Sequence, residues 1–251
     1  MKKYKILKDI SKTINDEYGK EITLYRISAL KDIANALPIY KGDLGGWVEK
    51  EENLSQEGNC WIYNDASVYN NAIVSGNVMV FGNAIVSGNA TVFGNAEVYN
   101  NAEVYGDAIV FGNAEVYGDA EVYGDAEVCG DAEVYGDAIV FGNAEVCGDA
   151  EVYNNAEVSG NTIVRGNAEI SKDAIIKSYK DYTTIDGFGS IGRHTTFYRC
   201  TNNIIRVKCG CFNGTIDEFR EQVKNTREGK IAREYLEIAD LMERHFNESE
   251  E

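Results

Sequence analysis

Valine recurs at every sixth position in the middle of this chain. Seventeen valines run in phase from Val68 to Val164, and isoleucine continues the phase on both sides, at Ile62, Ile170 and Ile176. Alanine lies two residues before most of these positions. Gly or Asn followed by Asn or Asp occupies most of the remaining stretch. So regular a period predicts a repeat architecture, in which each unit packs mainly against its neighbours.

The hexapeptide Ala-Glu-Val-Tyr-Gly-Asp indicates how one unit folds. In an extended segment alternate side chains face opposite ways, so Ala and Val point inward while the residues on either side of Val point outward. Gly and Asn tolerate the left-handed backbone that a sharp corner requires. Three strands and three corners then close a triangular coil of eighteen residues. The twenty hexapeptides predict a parallel solenoid of six to seven coils.

This pattern, which covers residues 62–177, resembles the hexapeptide-repeat, left-handed parallel β-helix superfamily. The resemblance alone implies the left hand, because the general rule for crossover connections favours the right hand. We therefore expect a mainly β protein in three parts. These are a small N-terminal α/β cap at residues 1–59, the β-helix at residues 60–177, and a C-terminal module of strands and two helices at residues 178–251.

The residues before the repeat predict a cap for the open end of the solenoid. Residues 1–17 are a charged, helix-like stretch, residues 23–27 are typical of a strand, residues 31–37 of a short helix, and residues 42–48 of a tight turn. An open solenoid end invites edge pairing and needs a cover. We expect the cap to fold over the outward apolar residues of the early coils, which are Ile73, Met79, Phe81 and Ile85.

After residue 177 the period fails and a different pattern begins. Residues 195–199 and 204–208 are typical of strands. Thr215 and Glu218 form a capping box, which predicts the start of a helix with Phe219 and Val223 inward. A second amphipathic helix is predicted from apolar residues spaced four, three, four and four apart, namely Ile231, Tyr235, Ile238, Met242 and Phe246.

Two segments outside the repeat resemble phage proteins. Residues 42–63 are similar to the entry of the solenoid in phage and prophage hexapeptide-repeat proteins, some of which are classed as acyltransferases. Residues 193–246 resemble a small C-terminal module common in tailed-phage proteins. The start of the chain contains no apolar run, so we expect neither a signal peptide nor a membrane span. The expected location is the cytoplasm, that of the host cell if a phage encodes the protein.

Negative charge is concentrated in the repeat. The chain has a net charge of −17, and residues 60–177 contain three basic and eighteen acidic residues. Such a surface argues against direct nucleic-acid binding by the solenoid. Residues 178–216 contain five basic and two acidic residues. The sequence therefore predicts this segment to be the basic surface of the protein.

Sorting the outward positions by the eighteen-residue period predicts three different faces. The first carries a Glu column and a neighbouring aromatic column: Glu97, Glu115, Glu133, Glu151 and Glu169, and Tyr63, Phe81, Tyr99, Tyr117, Tyr135 and Tyr153. The second mixes Glu103, Glu121 and Glu157 with Ile85, Ile139, Tyr105, Tyr123 and Phe141. The third is the most apolar, with Ile73, Phe93, Ile109, Phe111, Cys129, Cys147 and Ile163.

Each face has more than one interpretation. Stacked aromatic rings can form a self-supporting ladder or a flat binding surface. Stacked carboxylates repel one another, and solvent, cations or a basic partner can relieve that repulsion. Exposed apolar rows on a rigid wall are typical of interfaces. We expect a homo-oligomer, with a trimer favoured by the resemblance, formed through Ile73, Phe93, Ile109, Phe111 and Ile163.

The six cysteines predict reduced thiols rather than a disulfide framework. They lack the short paired spacings of zinc sites, and Cys209-Gly-Cys211 alone is a weak metal or redox signal. Cys129 and Cys147 are eighteen residues apart, so they should stack on adjacent coils, close enough for a bridge if oxidised. Two small outward side chains are the simpler interpretation. The sequence predicts no metal site and no cofactor.

Histidine content separates the function classes. The related acyltransferases use a histidine beside the coils as a general base, with acyl-coenzyme A bound between subunits. The two histidines of this chain, His194 and His245, both lie outside the solenoid. We therefore favour a non-catalytic binding protein, with an acyltransferase, a structural rod and an acidic DNA mimic as alternatives.

The favoured ligand is a nucleotide-like anion, and a basic host protein is the favoured macromolecular partner. Counteracting a host defence would suit a phage protein of this kind. The anion would bind to the basic strands of the C-terminal module, at Arg193, His194, Thr196, Tyr198, Arg199, Arg206 and Lys208.

Overall fold

The computed structural model describes residues 2–16, 19–189 and 192–247. The chain begins with three strands, β1 (Tyr4–Asn15), β2 (Glu21–Ala29) and β3 (Leu44–Val48), followed by a 3-10 helix at Glu51–Asn53. A long parallel solenoid comes next, and an antiparallel sheet with two helices completes the fold. The prediction of a mainly β protein with a parallel solenoid is confirmed.

Twenty short strands, β4 to β23, build the solenoid. In chain order they are Trp61–Ile62, Ser67–Val68, Ile73–Val74, Met79–Val80, Ile85–Val86, Thr91–Val92, Glu97–Val98, Glu103–Val104, Ile109–Val110, Glu115–Gly118, Glu121–Gly124, Glu127–Val128, Glu133–Gly136, Ile139–Gly142, Glu145–Val146, Glu151–Tyr153, Glu157–Val158, Ile163–Val164, Glu169–Ile170 and Ile175–Ile176. Each pairs in parallel with the third strand along the chain. The result is three sheets and about seven turns.

Parallel pairing keeps residues eighteen apart in register. Val98 of β10 lies between Val80 of β7 and Val116 of β13. The inward Ala and Val side chains are buried and form one continuous core along the solenoid. Burial of a valine stabilises the fold by roughly 1.5–3 kcal/mol relative to exposure. The six-residue period therefore translates directly into the core.

Glycine at the corners is required for two separate reasons, as Gly118 shows. Its backbone is left-handed, with φ 79°, a conformation that disfavours any residue with a Cβ. A Cβ at this position would also lie 2.8 Å from the backbone nitrogen of Gly136 on the next coil. A side chain at this corner, where the repeat places Gly or Asn, would therefore meet the backbone of the next coil.

The N-terminal region differs from its prediction in its secondary structure. The stretch predicted to be helix-like forms strand β1, and the ends of that stretch, Met1 and Glu17, lie outside the described residues. Residues 31–37 form bends, with an isolated bridge from Ile33 to Ile39. Part of the predicted turn at residues 42–48 is strand β3. Within residues 2–16 and 19–59 the only helical element described is a 3-10 helix, so the predicted α-helix of the cap is wrong.

Pairing explains why these segments are extended. β1 pairs with β2, β2 pairs with β3, and β3 pairs in parallel with β5 of the solenoid. The solenoid edge therefore supplies hydrogen-bond partners that a local reading of the sequence does not include. Ile85 packs under a small cluster of Ile22, Leu24 and Tyr69, as the predicted cover requires. Ile73 stays exposed, so that part of the prediction is wrong.

The C-terminal module is a four-stranded antiparallel sheet with two helices. Its strands are β24 (Tyr182–Phe188), β25 (Arg193–Arg199), β26 (Ile205–Cys209) and β27 (Phe212–Thr215), with a 3-10 helix at Thr201–Asn203. The helices are α1 (Ile216–Thr226) and α2 (Gly229–Asn247). The predicted capping box is present, because Thr215 Oγ1 accepts from the Glu218 backbone nitrogen at 3.2 Å and Thr215 N donates to Glu218 Oε2 at 2.7 Å.

The two faces of this sheet have different neighbours. Phe197 and Val207 pack against both helices, in a second core that includes Phe219. On the opposite face, Tyr198 belongs to the solenoid core, and Thr196 Oγ1 accepts from the Glu169 backbone nitrogen at 3.2 Å. The sheet thus covers the last coil. Neither described helix is long and apolar enough to cross a membrane.

Candidate functional site

Tyrosine hydroxyls donate hydrogen bonds to carboxylates of the Glu columns and so offset the repulsion between these carboxylates. Each of four tyrosines donates to the Glu sixteen residues later, on the next coil, at 2.8–2.9 Å; the pairs are Tyr99–Glu115, Tyr105–Glu121, Tyr117–Glu133 and Tyr135–Glu151. The rings stack as well, with centroids 4.8 Å apart for Tyr99 and Tyr117. A phenol that donates to a carboxylate stabilises its negative charge. The self-supporting ladder is therefore the interpretation that these contacts support.

Carboxylates without such a donor behave differently. The residues sixteen positions before Glu97 and Glu103 are Phe81 and Ser87, which carry no phenol. Burial raises the pKa of the Glu97 carboxyl, and the neighbouring Glu115 raises it further. Burial likewise raises the pKa of Glu103, with Glu121 adding to the effect. The charged forms of Glu97 and Glu103, which begin the two ladders, are therefore destabilised in the folded protein.

The corners carry a second kind of ladder. Asn side chains donate to the residue eighteen positions later, as in Asn77 to Asn95 at 2.9 Å and Asn95 to Asn113 at 3.0 Å. Asn113 then donates to Asp131 at 2.7 Å. Each of the three corner columns continues as a stacked Asp pair; the pairs are Asp107 and Asp125, Asp119 and Asp137, and Asp131 and Asp149. These six carboxylates form an acidic belt around the middle of the solenoid.

Most of the predicted anion-binding residues face the end of the solenoid. Lys208 Nζ lies 2.8 Å from Glu169 Oε2. The Tyr198 hydroxyl lies 3.2 Å from the Ser171 hydroxyl in the buried junction, close to Thr196. Arg206 has a buried Nε for which no hydrogen-bond partner is found among the described residues. These side chains hold the module against the last coil.

The remaining predicted residues do not join them. Arg199 Nε donates to Asp181 Oδ1 at 3.2 Å, and the guanidinium lies 5.7 Å from the ring centroid of Phe246. His194 Nδ1 lies 2.6 Å from Asp186 Oδ1, while its Nε2 is buried without a partner in the described part of the chain. The structure therefore divides the predicted set between several local contacts.

Arg193 is the member of the set that lines a pocket. This pocket, of 280 Å³, lies between the β26–β27 hairpin and the helices, and its lining residues are Arg193, Cys209, Cys211, Phe212, Phe219, Gln222, Val223, Thr226, Arg227 and Tyr235. Two arginines line it, and none of these described residues carries a carboxylate. A cationic pocket has thus formed in an acidic protein.

The electrostatics of Tyr235 reflect both arginines. Burial raises the pKa of its phenol, the Cys209 thiol adds to the effect, and Arg193 and Arg227 act in the opposite direction. Arg193 Nη1 approaches the position that a Cβ on Gly210 would occupy, so glycine there makes room for the guanidinium. Arg227, Cys211 and Tyr235 were not predicted as ligand residues. They are distant from Arg193 in sequence, and folding alone brings them to it.

A second cluster of positive charge lies at the other end of the molecule. A pocket of 470 Å³ is lined by four lysines and two glutamates, together with Tyr4, Ile6, Tyr25 and Gln56; the charged residues are Lys2, Lys5, Lys8, Lys50, Glu49 and Glu51. Lys2 Nζ pairs with Glu51 Oε1 at 2.6 Å. The sequence predicted residues 178–216 as the one basic surface. That prediction missed this cluster because β1 and the segment after β3 meet only in the folded sheet.

The predicted self-association face is exposed in the single chain. Ile73, Phe93 and Ile163 have 45%, 38% and 45% of their surface exposed. Phe93 stacks on Phe111 with ring centroids 5.0 Å apart, and Ile109 and Phe111 are half-buried. Glu127, Cys129, Glu145 and Cys147 interrupt the row between Phe111 and Ile163. Its role as an oligomer interface stays a prediction.

Known proteins share the repeat with this chain. Residues 72–88 match the family described as YdcK Beta solenoid repeat. A 70-residue stretch is 34% identical to the "Uncharacterized acetyltransferase YdcK" of Escherichia coli (strain K12); it covers 27% of this chain and 21% of that relative. The chain therefore spans about a fifth of the length of the curated relative. With the observed coil, these matches confirm the resemblance of the repeat to hexapeptide-repeat β-helix proteins.

Proposed function

We propose that this chain is a non-catalytic binding protein for a small nucleotide-like anion, with the arginine pocket of the C-terminal module as its ligand site. The observation that carries the proposal is the pairing of Arg193 and Arg227 in a pocket without a lining carboxylate. Guanidinium groups bind phosphates through charge-assisted hydrogen bonds, often in bidentate geometry. Among the described residues neither arginine forms a salt bridge. Arg227 Nη1 donates to the Thr226 backbone oxygen at 3.0 Å, and the guanidinium has further N–H donors for a ligand.

The other lining residues suit a small aromatic ligand. Phe212 is half-buried at the pocket and packs beside Phe219, with ring centroids 5.5 Å apart. Aromatic surface with a few convergent polar groups is typical of small-molecule sites. The volume of 280 Å³ lies just below the usual range of about 300–1,000 Å³ for such sites. The pocket therefore favours a ligand no larger than a mononucleotide.

The acidic belt is the surface that would bind a macromolecular partner. It places six carboxylates around the middle coils, where a basic protein surface would meet complementary charge. We propose a host protein as that partner, a phage origin for the chain, and action in the host cytoplasm. Sequestering a nucleotide or blocking a host protein would counter a host defence. The apolar row of the third sheet supports self-association, with a trimer favoured.

Acyl transfer is the second candidate, because the E. coli relative is named an acetyltransferase. It requires a general base that reaches an acceptor. His194 has one ring nitrogen against Asp186 and the other buried. His245 lies on α2 with its ring 5.3 Å from that of Phe246. This geometry favours binding over catalysis.

The test compares nucleotide binding by matched arginine variants. Calorimetric titration with AMP, GMP, CMP and UMP, together with native mass spectrometry of the freshly purified protein, should reveal a bound mononucleotide. The double variant R193Q/R227Q should weaken binding at least tenfold. R233Q removes an exposed arginine of α2 and should leave binding unchanged. Full binding by the double variant would contradict the proposed pocket. If R206Q and K208Q lose binding while the double variant keeps it, the ligand binds instead on the face of the sheet that lies against the solenoid.

A further inference from the structure

The repeat changes its chemistry at one place on the third sheet. The residue after the inward valine is Phe93, Phe111, Cys129, Cys147 and Arg165 on successive coils of this column. Elsewhere on the solenoid the equivalent position is mostly Tyr or Phe. Two consecutive thiols therefore replace two stacked rings, between Phe111 on one side and Arg165 on the other. Cys129 and Cys147 donate their backbone N–H groups to the next coil at 2.9 Å, so their positions are firmly held.

The neighbouring column brings a carboxylate to these thiols. Glu145 follows Cys129 by sixteen residues, the same relation that joins Tyr99 to Glu115. The thiol thus stands where a tyrosine hydroxyl stands on the other ladders. The two Sγ atoms and a Glu145 carboxylate oxygen all lie within 4.8 Å of one another. Glu127, which is in register with Glu145 on β15, adds a second carboxylate beside Cys129.

This donor set matches the requirements of a thiophilic divalent cation. Zinc binds cysteine sulfur at about 2.3 Å and carboxylate oxygen at about 2.0–2.2 Å, usually with tetrahedral geometry. Two sulfurs on one tetrahedral zinc are then roughly 3.8 Å apart. The observed spacing needs only small side-chain rotations to reach that distance. From these contacts we propose that Cys129, Cys147 and Glu145 form a binding site for one Zn²⁺-class ion per chain, completed by Glu127 or water.

The carboxylates of Glu145 and Glu127 place negative charge beside the thiols, which attracts a dication and also affects the thiols themselves. Burial raises the pKa of the Cys147 thiol to about 12, and Glu145 contributes to the increase. Burial also raises the pKa of Cys129, with Glu145 as the next cause. A raised thiol pKa opposes formation of the thiolates that bind a metal, so the attraction between the dication and the carboxylates must offset this cost. Binding replaces two S–H bonds by two metal–sulfur bonds and releases two protons to solvent. No electron is transferred.

The sequence signal for this site differs from that of a standard zinc motif. Cys129 and Cys147 are eighteen residues apart, whereas zinc motifs pair ligands at short spacings. One turn of the solenoid converts this long spacing into adjacency. Of the other four cysteines, Cys60 lies directly before β4, and Cys200, Cys209 and Cys211 lie in the C-terminal module.

Zinc binding to the reduced full-length protein tests the proposal. Titration against a chromophoric zinc chelator and native mass spectrometry should show one zinc ion per chain, with two protons released. C129S and C147S should each weaken binding at least a hundredfold, and E145Q about tenfold. C211S and E115Q are the matched controls, since they remove an exposed thiol of the module and a carboxylate of another ladder. Both controls should bind zinc as the wild type does.

Cobalt substitution provides a readout of the ligands themselves. Co²⁺ at the site should show a thiolate-to-metal charge-transfer band that disappears in C129S/C147S while circular dichroism remains unchanged. Absence of stoichiometric zinc in the wild type, or retention of zinc in the double variant, would overturn the proposal. So would rapid formation of a Cys129–Cys147 disulfide with no zinc binding by the reduced form. One zinc ion per two chains would also overturn it, because the site would then be shared.

Discussion

The solenoid and the C-terminal module use polar side chains in opposite ways. In the solenoid, like residues stack at intervals of eighteen, and their polar groups are satisfied by the next coil, as Tyr117 is by Glu133. In the module, unlike residues meet once each, and Arg193 and Arg227 converge on a pocket. The repeated chemistry therefore serves the scaffold. The two ligand sites that we propose lie where the repeat ends and where, as at Cys129, it changes.

The comparison has a general physical basis. A column of identical side chains must find a mutual contact, because each member faces a copy of itself at strand spacing. Amides and phenols can donate and accept in series, as Asn77 and Asn95 do. Carboxylates cannot, so Asp or Glu columns need donors from elsewhere. An acidic side chain with a built-in donor stabilises the scaffold, as Asp131 does by accepting from Asn113, and it can still present its remaining acceptor sites to an outside partner.

The largest expected effect on stability comes from replacing a corner glycine. Its size should differ between the middle of the solenoid and its end. We expect G118A to destabilise the protein by about 3 kcal/mol, because the added Cβ must adopt a left-handed backbone and also meets Gly136. Gly166, on the last coils, also has a left-handed backbone, with φ 69°, but a Cβ added there would have nothing within 4 Å apart from its chain neighbours. G166A should therefore cost only about 1 kcal/mol.

Urea midpoints of both variants, measured by circular dichroism, check this prediction. Repeat arrays can unfold in stages, so the midpoint of each transition is the quantity to compare. Equal losses in the two variants would show that backbone conformation alone makes glycine necessary, and that close packing between coils contributes nothing.

The next effect tests whether the phenol ladder is a scaffold. Y117F removes the hydroxyl that donates to Glu133 at 2.8 Å, and we expect a loss of about 1 kcal/mol. Tyr123 is the matched control. Its ring stacks on Phe141, but the residue sixteen positions later is Ile139, which offers no acceptor. Y123F should leave the urea midpoint within error of the wild type. A larger loss of stability in Y123F than in Y117F would contradict the idea that the hydroxyl hydrogen bonds stabilise the ladder.

The smallest effect concerns the carboxylate at the start of a ladder. Burial raises the pKa of Glu97, so its charged form costs stability in the folded state. We expect E97Q to stabilise the protein at pH 7 by about 0.3 kcal/mol, a value reduced by solvent screening. The native state binds this proton more tightly than the unfolded state. The wild type therefore recovers the difference as the pH falls through the raised pKa to the ordinary carboxyl value.

Urea titrations of E97Q and the wild type at several pH values measure this gap. E115Q provides the contrast, because Glu115 accepts from Tyr99, and its replacement should destabilise the protein. A constant gap between E97Q and the wild type across the acidic range would contradict the assignment of the penalty to the charge of Glu97.

Sequence reasoning was most successful where contacts repeat. The inward positions, the three faces and the adjacency of Cys129 and Cys147 follow from the period. The capping box at Thr215 was predicted because it needs only residues three positions apart. Reasoning failed for β1, since a charged stretch with scattered isoleucines fits either a helix or an edge strand. The neighbouring strand β2 decides between them.

The candidate site was only partly predictable. Arg193 was selected for its charge, and it does line a pocket. Lys208 and Arg199 were selected on the same ground, but they form ion pairs with Glu169 and Asp181. Charge in a sequence does not say which partner a side chain will find. Alternation along β25 and β26 would have assigned each residue to one of the two faces of the sheet. It would not have predicted which face packs against the helices.

The sequence by itself determined the parallel solenoid, its core of Ala and Val, its glycine corners and its stacked columns. A strict period leaves each residue with the same neighbours, so one coil specifies all the others. Only the tertiary structure decided how the ends are covered, which arginines form ion pairs, and where a cationic pocket forms. Those features depend on contacts between segments without a shared period, and such contacts exist only after the chain has folded.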